Sequence, residues 1–218
     1  MWFLNPNITF QDVLMRILAS VIIIFTVLPL HEYAHGWVAG KLGDKTAKYS
    51  GRLSMNPLDH VDPLGALGIL LFGFGWAKPV PVDPRNFKNP KSGMAITAIA
   101  GPISNLLAAF VGAVLLRLLI LISGILPISI FVGAATFFRY YIMINIGIAV
   151  FNLIPLPPLD GSKILEAFLP DRIIYKYAQY QGIISLVLLA LVLLGVLSVP
   201  LSYLQYYIYT GMMHIVGL

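Results

Sequence analysis

Long apolar runs, separated by short polar stretches, constrain the fold of this chain more than any other feature of its sequence. The runs cover residues 13–30, 63–76, 92–122, 128–155 and 183–199. A helix needs about 20 apolar residues to cross a bilayer, and four runs approach or exceed that length. Charged residues make up 11% of the chain, against about 25% in soluble domains. We therefore predict an all-α polytopic membrane protein with about four to six transmembrane helices. No stretch resembles a soluble module, so we expect residues 1–218 to form a single membrane-embedded domain.

The Gly-rich run at residues 63–76 is too short for a span, and we expect it to form a re-entrant hairpin. The distribution of cations supports the hairpin. Most of them lie in three polar stretches: Lys41, Lys45, Lys48 and Arg52, then Lys78, Arg85, Lys88 and Lys91, then Lys163, Arg172 and Lys176. With a hairpin, all three stretches fall on one side, which the positive-inside rule makes cytoplasmic. We expect a multi-pass cell-membrane protein with its N-terminus outside. Loop cations explain the net charge of +5, so no nucleic-acid partner is expected.

A metal-binding pattern, H-E-x-x-H, ends the first apolar run as His31-Glu32-Tyr33-Ala34-His35. Positions i and i+4 of a helix share a face, so both imidazoles can bind one Zn²⁺, and Glu32 can act as the general base for water. The alternative is a chance pair of buried histidines. Because ionisable groups in a membrane cost roughly 2.5–3.5 kcal/mol each on insertion scales, the cluster favours a bound cation. We predict one Zn²⁺ per chain and an active site toward the cytoplasmic side.

Two histidines leave a catalytic zinc one protein ligand short, and the chain has no cysteine. The candidates for the third ligand are His60, His214, Asp44, Asp59, Asp62, Asp83, Asp160, Glu166 and Asp171. Asp160 is favoured because it follows a Pro-rich, irregular segment that the third span should bring to the end of the bundle where His31 lies. Its alternative role is to cap the helix that follows it.

The spacing of these motifs resembles that of the site-2 protease family of intramembrane zinc metalloproteases. The H-E-x-x-H is paired with a downstream N-x-x-P-x-x-x-L-D-G that runs from Asn152 to Gly161. Residues 51–63, 75–80 and 101–105 also resemble segments of compact bacterial members, and the chain is similar to those that lack PDZ and CBS domains. The similar segments extend over most of residues 30–164.

The resemblance implies an activity, a substrate class and roles for individual residues. His31, His35 and Asp160 would bind zinc, Glu32 would be the general base, and Asn152 would stabilise the oxyanion. The substrate would be a membrane-protein or signal-peptide-like segment, cut in or near the lipid bilayer. Two other functions stay open, a proteolytically inactive zinc-binding membrane scaffold and a metal transporter. The sequence leaves the oligomeric state open.

Three further features have two interpretations each. His60 could contact substrate or the metal, or it could hydrogen-bond within its own loop. Asn105 could touch substrate, or it could bond across helices. Residues 78–82 alternate Pro with other residues, which suggests a short β-like edge segment near the active site that could pair with an extended substrate, or a plain loop.

Overall fold

The computed structural model describes residues 8–72 and 75–218, which form a helical bundle. The helices, in chain order, are α1 Phe10–Lys41, α2 Thr46–Tyr49, α3 Pro57–His60, α4 Pro63–Phe72, α5 Pro90–Leu121, α6 Ile128–Asn152, α7 Asp160–Glu166, α8 Asp171–Gln179, α9 Gln181–Leu193 and α10 Ser198–Ile215. Single 3₁₀ turns lie at Pro84–Asn86 and Ser123–Ile125.

Helix α1 carries the H-E-x-x-H motif on its C-terminal part. Its first turn is closed by a capping box between Thr9 and Asp12. At Ile23–Val27 the helix widens into a π-turn. The cause is Pro29, which has no N–H to donate to the carbonyl four residues earlier and whose ring would clash with it. The π-turn therefore sits directly before the metal motif, as π-turns at functional sites often do.

Helix α6 lies at the centre of the bundle, packed against α1, α5 and α10. Its buried Ile144 and Ile148 pack with α1 and with Ile69 of α4. Other buried residues of α6 pack with small residues of α5 and with α10. Gly112 of α5 allows this close approach, because a Cβ there would lie 2.8 Å from the Tyr141 ring of α6.

The membrane class predicted from the sequence is confirmed by the described part of the chain. There, α1, α5 and α6 are long and apolar enough to cross a bilayer, and the pair α8–α9, bent by 66°, adds a fourth span if it is counted as one. At about 1.5 Å per residue, α4 is only about 15 Å long. That length agrees with the re-entrant interpretation of its run, of which residues 73 and 74 lie outside the described residues.

In the C-terminal part, the apolar run at residues 183–199 does not form one continuous helix. Helix α9 ends at Leu193, and Gly195 takes a left-handed conformation with φ +73°. The Val196 N–H then donates to the Leu191 carbonyl at 3.0 Å, which closes the helix end. The apolar run therefore breaks, and the tail returns as α10 to pack on α5 and α6.

The predicted β-like edge segment is absent as a strand, since the described residues form no β-strand and only an isolated bridge between Val61 and Ala77. Pro79 and Pro81 carry no N–H, so residues 78–82 cannot form a regular ladder. Hydrogen bonds to other parts of the chain hold residues 78–82 in place instead. The first N–H of this segment, from Lys78, donates to the His60 carbonyl at 2.7 Å.

Asp44 anchors the chain that follows this segment. Its buried carboxylate accepts hydrogen bonds from Thr46 N, Asp83 N and Asn86 Nδ2 at 2.8–3.0 Å. Burial disfavours the charged form, but the hydrogen bonds outweigh it and lower the pKa of Asp44. Asp44 therefore fastens the loop after α1 to residues 83–86.

Candidate metal centre

Three potential ligand atoms converge where α1 meets the start of α7. The Nε2 atoms of His31 and His35 lie 3.0 Å apart. Asp160 faces both, with Oδ2 3.2 Å from His31 Nε2 and Oδ1 3.4 Å from His35 Nε2. All three side chains are largely shielded from solvent. The Pro-rich segment before α7 thus places Asp160 against a motif that is distant in the sequence.

A chain of buried side chains fixes the role of His31 Nδ1 as a hydrogen-bond donor. The Tyr141 carbonyl can only accept, so Asn145 turns its Nδ2 toward it at 2.9 Å and its Oδ1 toward Asn105. Asn105 therefore donates to Asn145 and presents its own Oδ1 to His31 Nδ1 at 2.6 Å. His31 must donate from Nδ1, so Nε2 is the nitrogen that carries a lone pair when the ring is neutral.

His35 has the same tautomer for a simpler reason. Its Nδ1 lies 2.7 Å from the backbone carbonyl of Thr97 on α5, which can only accept. Both histidines of the motif therefore direct Nε2, the nitrogen that can bind a metal in the neutral ring, at each other and at a carboxylate.

This arrangement fits a zinc ion. With both rings neutral and no cation, two lone pairs 3.0 Å apart and a carboxylate would repel one another. With Zn–N and Zn–O bonds of about 2.0–2.2 Å, neighbouring ligand atoms of a tetrahedron are roughly 3.3–3.5 Å apart. The measured separations of 3.0–3.4 Å are close to these values. The second nitrogen of each histidine is already held by an acceptor, as is usual for zinc-binding histidines.

Asp160 is not used as a helix cap, which was its alternative role. Helix α7 begins at Asp160 with no side-chain cap, and the shielded Oδ2 makes no hydrogen bond. Burial opposes ionisation of Asp160, but positive charge on the facing His35 overcomes it and holds the pKa of Asp160 well below the ordinary value. The carboxylate is therefore charged and directed at the two histidines.

Glu32 lies beside this group rather than in it. One of its carboxylate oxygens comes within 4.8 Å of the two histidine nitrogens. Its Oε2 accepts a hydrogen bond of 3.0 Å from the Val80 N–H. Because Pro79 and Pro81 flank Val80, this is the only N–H of residues 79–81, and the extended segment uses it to orient Glu32.

Gly101 of α5 leaves open space beside the two histidines. A Cβ at this position would lie 2.5 Å from His31 Nε2 and even closer to His35 Nε2. The same helix supplies Asn105 and the Thr97 carbonyl. Helix α5 is therefore the wall that holds both histidines and keeps the space between them open.

A cavity of about 370 Å³ opens on the other side of the site. His31, Glu32, Asp160 and Asn152 line it together with apolar residues of α1, α6 and α9. The Asn152 Nδ2 donates to the Ile148 carbonyl at 3.0 Å, which leaves its second N–H for a ligand. The candidate oxyanion residue thus lies in the same cavity as the candidate base.

Two of the candidate substrate residues lie outside this cavity. Asn105 is fully buried behind His31. His60 is fully buried in the loop after α2, with Nε2 2.8 Å from the Ser54 carbonyl. In the described residues both make contacts within the protein, and neither lines the cavity that holds Glu32.

The sequence patterns predicted no role for several residues that shape the site. The Thr97 carbonyl and the Val80 N–H are backbone groups, which no side-chain pattern marks. Asn145 lies inside an apolar helix, where its polarity was the only available signal. Gly101 was noted only within residues 101–105, which resemble a segment of the family. That a side chain at Gly101 would crowd the two histidines becomes apparent only from the packing of α5 on α1.

Replacing Asn105 by Ala is expected to lower zinc affinity about 10- to 100-fold, the usual effect of losing a residue that orients a ligand. The change leaves the His31 Nδ1 and the Asn145 amide without their partner. Metal competition with a chelator in detergent would measure the affinity. Thr97→Val is the matched control, because it removes a hydroxyl that has no partner and keeps the carbonyl bound to His35. Equal affinity in the Asn105 variant and wild type would contradict the orienting role.

Comparison with known proteins agrees with this chemistry. The profile of Peptidase family M50 matches residues 118–195, which include Asn152 and Asp160. The Bacillus subtilis (strain 168) protein named "Putative zinc metalloprotease YwhC" is 43% identical over 171 residues, which are 78% of either chain. No solved structure gives a significant match.

Two more distant relatives are longer proteins. The Mycolicibacterium smegmatis protein named "Putative zinc metalloprotease Rip2" is 29% identical over 74% of this chain and 62% of its own length. Zinc metalloprotease MJ0392 of Methanocaldococcus jannaschii is 29% identical over 81% of this chain and 42% of its own length. The chain therefore spans less than two thirds of these two relatives.

The zinc-compatible donor set on membrane helices, the family profile and the similarity to the Bacillus protein lead to one conclusion. This chain belongs to peptidase family M50, the site-2 protease family of zinc metalloproteases.

Proposed function

We propose that this protease hydrolyses peptide bonds in or near the membrane-spanning segments of other membrane proteins. In this proposal His31, His35 and Asp160 bind the zinc ion, and Glu32 is the general base. The main observation in support of this proposal is the cavity at the site. The metal group lies on one side of this cavity, and apolar residues of membrane helices lie on the other, among them Leu28, Phe151, Leu188, Leu189 and Val192.

Bound zinc would supply Lewis-acid activation of water and of the scissile carbonyl. The protein supplies the rest. Glu32 takes a proton from the attacking water as the new carbon–oxygen bond forms, and then delivers it to the leaving amine nitrogen as the carbon–nitrogen bond breaks. The free N–H of Asn152 donates to the carbonyl oxygen as negative charge develops there. The Val80 N–H keeps the Glu32 carboxylate in place.

An apolar cavity wall favours a membrane segment as substrate. A peptide must leave its helical hydrogen bonds to be cut, and unpaired backbone groups are costly in lipid. The irregular, proline-flanked segment and the polar metal group offer a place where such a backbone can be accommodated.

The distribution of charge supports a cytoplasmic position for the metal site. The three basic stretches connect helix ends at the end of the bundle that carries the metal group. The positive-inside rule makes that end cytoplasmic and puts the N-terminus of α1 outside. A transporter would need ligand groups along a path across the membrane, whereas in the described residues the group that could hold a metal lies at one end.

A paired-substrate assay tests the proposal. The zinc-loaded protein in liposomes should cleave a reporter whose apolar span contains the scissile bond, and it should cleave the same residues much more slowly in a soluble, unfolded peptide. Product mass would locate the cut bond. Equal cleavage of the two substrates, or cleavage only outside the membrane reporter's span and its flanks, would contradict a membrane-directed activity.

A further inference from the structure

Arg52, in the loop after α2, directs its charge at the backbone of the segment that holds Glu32. Its guanidinium forms no ion pair among the described residues. Its Nη2 instead donates two hydrogen bonds to successive main-chain carbonyls, to Lys78 at 3.0 Å and to Pro79 at 3.2 Å. Because a guanidinium bonds more strongly to a carboxylate than to a neutral carbonyl, charge pairing does not explain this placement.

One of the two carbonyls belongs to the same peptide group as the Val80 N–H. The Pro79–Val80 bond is trans, so the Pro79 carbonyl and the Val80 N–H point in opposite directions. The carbonyl accepts from Arg52, and the N–H donates to Glu32 Oε2 at 3.0 Å. A single peptide group therefore connects the guanidinium to the carboxylate.

The polarity of this peptide group favours the carboxylate. A peptide has a dipole of about 3.5 D with its positive end at the N–H. A positive charge at the carbonyl oxygen draws electron density toward that oxygen, and the N–H becomes a better donor. Arg52 thus strengthens the hydrogen bond from Val80 to Glu32 as well as fixing its direction.

Arg52 and Val80 are both fastened to parts of the chain that pack on α1. The Arg52 N–H donates to the Ala47 carbonyl of α2 at 2.9 Å. Three side chains meet at Gly36 of α1, where an added Cβ would lie 3.1–3.2 Å from Leu53, Ala47 and Val80. The extended segment is therefore held by packing at Val80 and by the two Arg52 hydrogen bonds just before it.

We propose that Arg52 is a positioning residue for Glu32 and acts through the Pro79–Val80 peptide group. The inference rests on the proposed function, in which Glu32 is the general base. Arg52 does not line the metal-site cavity, so its effect on the reaction passes through Glu32. Its loss leaves the zinc ligands in place but lets the carboxylate move, and a shift of about 1 Å in a catalytic group can lower a rate by about 100-fold.

The test compares Arg52→Met with wild type, both as full-length, zinc-loaded protein that cleaves the membrane reporter in liposomes. Met keeps an unbranched side chain and loses every N–H. We expect kcat to fall about 10- to 100-fold and KM to change less than about threefold, with zinc content unchanged. Arg52→Lys should return to within about threefold of wild type, because both hydrogen bonds come from one nitrogen and an ammonium group has three N–H donors.

The matched control is Arg85→Met, which removes another arginine from the same side of the bundle. The Arg85 side chain is 89% exposed and pairs with Asp83 at 2.7 Å, an interaction that contributes little to stability. This variant should keep the wild-type kcat and KM.

Hydrogen exchange of the zinc-loaded protein without substrate gives a readout that needs no activity. Residues 78–82 carry only three N–H groups, because two of the five residues are prolines. Mass spectrometry of this segment should show the Val80 N–H exchanging about tenfold faster in Arg52→Met than in wild type. Glu32→Ala sets the rate for a Val80 N–H that has lost its acceptor, and Arg85→Met should exchange as wild type does.

A double-mutant cycle shows whether Arg52 acts through the Val80 N–H. Val80→Pro removes that N–H and should lower kcat by a factor similar to that of Arg52→Met. The double variant should then be no more than about threefold slower than Val80→Pro alone. Effects that multiply would mean that the two residues act independently, which overturns the inference. Circular dichroism would show whether the proline variant folds, and if it does not, the exchange comparison decides the role of Arg52.

The outcomes separate this inference from the proposed function. An Arg52→Met protein with wild-type kcat and wild-type Val80 exchange, or one that loses zinc or changes only in KM, overturns the positioning role and leaves the protease function intact. If wild-type protein cleaves only a soluble peptide, the membrane-directed function fails, and the same rate comparison on that peptide still decides the role of Arg52. If Glu32 is not the base, the inference fails with that assignment.

Discussion

Glu32→Gln is expected to lower cleavage of a membrane reporter by at least about 10²- to 10⁴-fold, the range that general acid–base groups contribute. Gln has nearly the same shape, and its amide oxygen can still accept the Val80 N–H. It cannot take a proton from water. The proposed zinc ligands, His31, His35 and Asp160, are untouched, so zinc content should stay at one ion per chain. Single-turnover cleavage in liposomes and metal analysis of the same sample would measure both quantities.

Glu166→Gln is the matched control, since Glu166 is the other glutamate of the chain. Its carboxylate pairs with Lys163 on α7 at 2.9 Å, an interaction between partly exposed groups that contributes little to stability. This variant should cleave the reporter at the wild-type rate. A Glu32→Gln protein within tenfold of wild type would rule out Glu32 as the base, and loss of zinc would show that Glu32 is instead a ligand.

Gly101→Ala is expected to remove zinc binding and, with it, activity. The added methyl group would occupy the space between the two Nε2 atoms. The crowded atoms belong to histidines whose Nδ1 atoms are held on both sides, so they cannot move apart without breaking buried hydrogen bonds. We expect bound zinc to fall from one ion per chain to below about a tenth at a zinc concentration that saturates wild type.

The control for this variant is Gly40→Ala, on the helix that carries the histidines. A Cβ at Gly40 meets no atom within 4 Å, and Ala in place of Gly within a helix stabilises it by about 0.5–1 kcal/mol. Gly40→Ala should therefore bind zinc normally. Circular dichroism and gel filtration in detergent would show that both variants stay folded. Normal zinc content in folded Gly101→Ala protein would mean that the metal does not lie between His31 and His35.

Local patterns predicted the parts of this protein that depend on neighbours in the sequence. Apolar run length gave the start of α1 and both bounds of α5 and α6 to within three residues. The i, i+4 spacing of His31 and His35 placed two potential ligands on one helix face. The break in the last apolar run was missed, because Gly195 is one residue in a hydrophobic stretch and its left-handed turn depends on where the tail packs.

The sequence by itself determined that the chain is a membrane protein, that one helix carries a metal motif, and which carboxylate was the best partner for it. Only the tertiary structure decided what makes these residues a usable site. Helix α5 supplies the acceptors for both histidines and the gap at Gly101, and residues 79–81 supply the N–H that orients Glu32. These partners lie 48 to 74 residues away from the groups they hold. Periodicity and spacing encode neighbours along a helix, whereas contacts between distant segments depend on how whole helices pack.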